Sequence, residues 1–155
     1  MTNKSRRELL CGAAALGAGG AALALLGEVA PAAATPADAA AEIAKFTGGK
    51  PTQKGKISID LPEIAENGNT VPLTIKVDHP MTADDYVSDI VVIAEGNPLP
   101  RLATFHLTPM SGRAEAATRV RLAATENIIV VAKTSKGVLF TELKPVKVTI
   151  GGCGG

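Results

Sequence analysis

The residues with the clearest chemistry stand at the end of the chain, Gly151-Gly152-Cys153-Gly154-Gly155. A thiolate is a strong sulfur nucleophile and holds further sulfur atoms through S–S bonds that later exchange or break. Serine in the same place could not do this. The glycines on either side lack a Cβ and have the widest choice of backbone angles, so the segment is predicted to have little shape of its own. It cannot hold the sulfur still, as a catalytic pocket must, but it can enter a pocket on another protein. An extended chain spans about 3.3–3.6 Å per residue, so Cys153 can stand about 10 Å beyond an element ending near Ile150. Residues 151–155 therefore read as a flexible arm, with Cys153 as its attachment point and Gly151, Gly152, Gly154 and Gly155 keeping it narrow. A frayed terminus with an incidental cysteine is the plainer reading. No His, Lys or Arg adjoins the thiol, and the C-terminal carboxylate opposes thiolate formation. The free arm is expected to be unreactive until a partner supplies the activating field.

The other end of the chain carries an address. Lys4, Arg6 and Arg7 precede an apolar run from Leu9 to Leu26, and Ala30-Pro31-Ala32 and Ala32-Ala33-Ala34 offer small-residue cleavage sites. This is the layout of an export signal. Ser5-Arg6-Arg7-Glu8-Leu9-Leu10 looks like a twin-arginine signal, whose cargo crosses the membrane already folded. Leu9 and Leu10 depart from the usual Phe and Lys, and an ordinary secretory signal is the alternative. The apolar run is short and rich in Gly and Ala, so no stable membrane anchor is expected. Residues 1–34 are thus read as a cleavable twin-arginine signal and the periplasm as the destination. Cys11 leaves with the signal, and Cys153 is then the one cysteine of the mature chain. No internal disulfide can form, and an unpaired cysteine in an exported protein suggests a reactive thiol or an intermolecular bond.

Residues 35–150 must position the arm. Thr35-Pro36-Ala37-Asp38 opens a short helix over Ala37–Thr47, with Thr35 as N-cap and Gly48-Gly49 as the stop. Its apolar stripe, Ala40, Ile43, Ala44 and Phe46, is expected to dock on the body. From Lys56 the period changes to two. Strands are predicted at 56–61, 71–77, 86–94, 101–107, 113–122, 128–133 and 138–150. Pro72 implies an edge or a bulge, and Pro145 is expected to interrupt the last strand. Asn67-Gly68-Asn69, Glu95-Gly96-Asn97-Pro98 and Ser135-Lys136-Gly137 read as turns. About seven short strands with no helix among them imply an all-β, immunoglobulin-like antiparallel β-sandwich, with a barrel as the alternative.

Other candidates are weaker. His79, Met81, His106 and Met110 would make a soft metal site, but no pair has ligand spacing, and neither metal nor cofactor is expected. Asp84-Asp85 reads as a solvated turn. Arg113, Arg119 and Arg121 would steer an anionic partner, and an exposed strand face explains them equally well. A net charge of +1 argues against nucleic acid.

The export signal, the alanine-rich first helix, the run from Leu61 to Pro72 (LPEIAENGNTVP) and the terminal Gly-Gly-Cys-Gly-Gly together resemble the SoxY family. These are sulfur carriers of the periplasmic thiosulfate-oxidising Sox system. The resemblance covers essentially the whole chain. It implies a carrier and not an enzyme: thiosulfate-derived sulfur rides on Cys153, while a SoxZ-like subunit forms the heterodimer. A SoxAX-like haem enzyme joins thiosulfate oxidatively to the thiol, and a SoxB-like hydrolase removes sulfate. Where present, a sulfane dehydrogenase oxidises the remaining sulfur. The alternative is an exported structural or interaction sandwich that uses Cys153 for an intermolecular disulfide.

Overall fold

The computed structural model describes residues 35–149; residues 1–34, with Arg6 and Arg7, and residues 150–155, with Cys153, lie outside them. Helix α1 (Pro36–Thr47) starts as its local chemistry dictates. Thr35 Oγ1 accepts from the Asp38 N–H, and the Asp38 carboxylate accepts in return from the Thr35 N–H at 2.8 Å. That backbone bond holds the Asp38 carboxyl below its ordinary value. Gly48, at φ 63°, ends the helix and donates to the Ala44 carbonyl. Ile43 and Phe46 dock as expected, but Ala39 joins them in place of Ala40 and Ala44. Ala39 is buried while Ala40 and Ala44 are exposed. Spacings of four and three residues bring those side chains onto one face.

Among the described residues, eight strands form two sheets. They are β1 (Ile57–Asp60), β2 (Ile64–Ala65), β3 (Val71–Val77), β4 (Val87–Ala94), β5 (Arg101–His106), β6 (Glu115–Val120), β7 (Glu126–Thr134) and β8 (Leu139–Val148). One sheet runs β1-β3-β6 and the other β2-β8-β7-β4-β5. Between them lies a core that includes Leu73, Ile75, Ile90, Val92, Ile128 and Val130, each at most 1% exposed. The opposite face of β4 and β7 offers Val91, Ile93, Ile129 and Val131 to α1. This explains why the Val91-Val92-Ile93 run is apolar throughout: the strand is covered on both faces.

The sandwich is as expected, with two departures. An additional two-residue strand, β2, pairs in parallel with β8, and Gln53 makes an isolated parallel bridge to Phe140; the other named strands pair antiparallel. Neither Pro72 nor Pro145 disturbs its strand. β3 is the central strand of its sheet, and Pro72 pairs with Arg119 of β6. The Asp78 N–H bonds to β1's side and the Val77 N–H to β6's side. By alternation the Pro72 nitrogen faces β1, whose pairing stops at Asp60↔Thr74. Pro145 pairs with Asn127 inside an unbroken β8. Its nitrogen shares the side of the Thr141 and Lys147 N–H groups, which bond to Gln53 and Glu63. No ladder bond is lost at either site.

Glu126 is a buried carboxylate, 8% exposed. It accepts from the Gly96 N–H at 2.6 Å through Oε2, while Oε1 has no partner among the described residues. Burial raises its pKa, opposed by the backbone N–H groups of Gly96, Ala124, Ala123 and Asn97. The folded chain therefore binds this proton more tightly than the unfolded chain. The resulting stability is present at low pH and is lost as pH rises through the raised pKa. In Glu126→Gln, the Tm difference from the parent is expected to move in the variant's favour between pH 4 and pH 8. Thermal melts across that range check it, and a constant difference would contradict it.

Candidate functional site

The candidate site is the end of β8, the root from which the arm expected at residues 151–155 would leave. Each side of its last residues is held. On one side the Lys147 N–H donates to the Glu63 carbonyl at 2.9 Å and the Thr149 N–H to the Ala65 carbonyl at 3.0 Å. On the other, Thr125 Oγ1 accepts from the Val148 N–H at 3.0 Å and donates to the Val148 carbonyl at 3.3 Å. The short β2 thus has a clear role: it pairs with β8 only at Lys147 and Val148. Val146 is buried in the core just before this point.

Gly68 closes the root from beneath. A Cβ on it would run into the Leu122 carbonyl oxygen and stand 3.0 Å from Val148 Cγ1. The Leu122 N–H donates to the Gly68 carbonyl at 2.7 Å. The Asn67-Gly68-Asn69 turn was legible, and Asn67 Oδ1 does accept from the Asn69 N–H. Gly68 has no positive φ, however, so close approach and not turn geometry requires glycine here. The Leu61–Pro72 run, far from the terminus in sequence, therefore packs against the end of β8 in space.

Thr125, Glu126 and Asn97 were missed as site residues. Asn97 is 7% exposed; its side chain donates to the Arg121 carbonyl and accepts from the Ala123 N–H, both at 2.7 Å. It fixes the loop of residues 121–125 that brings Thr125 to Val148. The signals were ambiguous, because Asn and Thr between apolar runs read equally as turn residues. Thr125→Val is expected to cost about 1–3 kcal/mol, the sum of two hydrogen bonds. It should also raise the exchange rate of the Val148 amide, measured by hydrogen–deuterium exchange. Parent-like protection there would contradict the clamp.

The sulfur and imidazole groups considered for a metal do not converge. His79 Nε2 is 2.9 Å from Asp85 Oδ1, and its ring packs on Phe140 at 5.7 Å between centroids. Asp85 also accepts from Lys136 at 3.0 Å; the His79 bond, then Lys136, lowers its pKa. Asp84 is exposed in a bend, as expected, while Asp85 is half-buried and bonded to both His79 and Lys136. His106 Nδ1 is 2.6 Å from Asp89, and Met110 is 96% exposed. Among the described residues, no three His, Cys, Asp or Glu side chains form a metal-holding group.

Comparison with known proteins agrees with this architecture. The family model described as "Sulfur oxidation protein SoxY" matches residues 43–153, a span that runs through Cys153. No curated protein sequence matches. The sulfur carrier protein SoxY from Chlorobium limicola f thiosulfatophilum is 34% identical; the match covers 75% of this chain and 100% of that one, with a TM-score of 0.63. Superoxide reductase (neelaredoxin) from Ignicoccus hospitalis is 18% identical over 61% of this chain and 81% of its own, at TM-score 0.55. A putative superoxide reductase from Thermotoga maritima is also 18% identical, over 67% and 90%, at 0.53. The likeness to the two reductases is one of fold alone. The family match over most of the chain and the 34% identity to a solved SoxY lead to one conclusion: the chain belongs to the SoxY family of sulfur oxidation proteins.

Proposed function

We propose that the chain is a periplasmic carrier, exported through the twin-arginine pathway, that holds sulfur intermediates of thiosulfate oxidation on Cys153. Residues 1–34 would be removed, 35–150 form the carrier body, and 151–155 form the arm. The observation that carries this reading is the seat of the arm. β8 is held from both sides up to Thr149, four residues before the single cysteine of the mature chain. A root held this firmly, followed by glycines and a thiol in the sequence, suits a group handed between enzymes.

The chemistry balances. The Cys153 thiolate and thiosulfate join through a new S–S bond, and two electrons pass to a SoxAX-like haem enzyme. Hydrolysis by a SoxB-like enzyme then breaks the bond between the outer sulfur and the sulfonate. Water supplies the fourth oxygen of sulfate, two protons leave, and a persulfide remains on the arm. None of these steps needs a catalytic group on the carrier. The constant partner would be a SoxZ-like subunit.

The test is the intact mass of the mature protein after incubation with thiosulfate and its haem enzyme. A sulfur-bearing increment on the C-terminal peptide is the expected result. Only a doubled mass that reductant reverses would favour a structural disulfide and overturn the reading.

A further inference from the structure

The sandwich closes on one side, where Lys144 of β8 donates to the Ile59 carbonyl of β1 at 3.3 Å. On the other side β5 and β6 are the outer strands of their sheets. Between these two edges lies a groove of about 600 Å³, lined in part by Leu99, Arg101, Leu102, Arg119, Val120 and Arg121. Leu102 and Val120 border the core, while Leu99 is 80% exposed. The lining contains three arginines and no carboxylate. Arg101 is paired with Glu42 at 2.8 Å. Among the described residues Arg119 and Arg121 have no ion-pair partner. In the flanking loops Glu95 accepts from the Asn127 side chain and Glu126 is buried against the Gly96 N–H.

The groove and the arm root share one loop. Arg121 and Ala123 line the groove, Asn97 ties both to the β4–β5 turn, and Thr125 holds Val148. A protein seated in the groove would therefore stand beside the point where the arm leaves.

We propose that this groove docks the enzymes that receive the arm, through an acidic protein surface beside their active-site entrances. The inference rests on the carrier reading above. An acidic occupant follows from the charge: seating an apolar surface here would bury two guanidinium groups without partners, which is strongly unfavourable. For the same reason the groove does not suit a constant subunit, whose interface is expected to be more apolar. Opposite charges on a small contact speed encounter, and salt screens them, as a carrier that must leave again requires. Leu99, exposed in the lining, supplies an apolar contact beside the arginines.

The experiment compares R119E/R121E, the milder R119Q/R121Q and the control R113E, each with its constant subunit. Arg113 is exposed and outside the groove lining. Turnover by the haem enzyme and the hydrolase is followed against carrier concentration at low and high salt. The reversal is expected to raise the apparent KM for the carrier at least about tenfold, with kcat at saturation retained and the salt dependence flattened. The neutral variant should fall between, and R113E should match the parent. Parent-like KM values in both groove variants would overturn the proposal. So would an equal effect of R113E, which marks net charge alone, or release of the constant subunit, which marks a permanent interface. If the parent is turned over and the groove variants match it, docking falls and the carrier reading stands; if the parent is never loaded, both fall.

Discussion

Cys153→Ser is expected to abolish loading with thiosulfate and all later turnover, while leaving the Tm of the body at the parent value. The two oxygen and sulfur nucleophiles differ in the bond they can make. A serine hydroxyl cannot hold a sulfur chain through S–S bonds, so no residual activity follows from poorer nucleophilicity. The position lies beyond Thr149, the last described residue, on the arm that is proposed to stand off the body. A surface change away from buried features usually shifts stability by no more than about 0.5 kcal/mol. Loading followed by mass spectrometry and a thermal melt separate the two effects. Sulfur transfer that survives the substitution would remove Cys153 from the chemistry. A fall in Tm would indicate that the thiol packs on the body.

Gly68→Val has the largest expected effect on the body itself. Its first added carbon meets the Leu122 carbonyl oxygen, a backbone atom that cannot swing aside, and Val148 Cγ1 at 3.0 Å. Overpacking of this kind costs about 1–3 kcal/mol or more. The strain falls on the end of β8, because Leu122 lies in the 121–125 loop and Val148 is the last residue of the strand. Equilibrium unfolding should show the loss, and amide exchange should rise at Val148 and Thr149 before the core. Gly48→Ala is the comparison. Gly48 lies at φ 63° with open space around its Cβ position, so alanine there pays for left-handed backbone alone, about 1 kcal/mol. Equal stability of the Gly68 variant and the parent would contradict the close approach.

Much of the body was legible because its signals are local. Thr35, Pro36 and Asp38 specify a helix start within four residues. Alternation in Ile57–Asp60 and Val71–Val77 reports a half-buried strand without knowledge of its neighbours. The prolines were misread because their consequence depends on what lies opposite the nitrogen. For Pro72 and Pro145 that is decided by where β1 stops and β2 begins, which alternation along one strand does not encode. The helix stripe was displaced by one residue because alanine is apolar on every face, so Ala39, Ala40 and Ala44 look alike. β2 was missed because two residues cannot show a period. Its meaning comes from the parallel pairing of Ile64 and Ala65 with Lys147 and Val148.

The site divides in the same way. Cys153 is conspicuous because glycine surrounds it, and its chemistry can be read from residue type. The groove is the opposite case: Arg119 and Arg121 on an alternating strand have the same pattern whether they face open solvent or line a cleft. Only the placement of β5 and β6 at matching edges of two sheets brings them together with Leu102 and Arg101. Thr125 likewise becomes a clamp only once Asn97 has folded the preceding loop.

The most direct measurement is the mass of the C-terminal peptide of the mature protein, taken without reductant from cells oxidising thiosulfate and purified with whatever subunit accompanies it. The account predicts a mature chain lacking the export signal, a second small subunit in the same peak, and sulfur-bearing additions on Cys153. A Cys153 found underivatised, or joined only to another polypeptide, would contradict it.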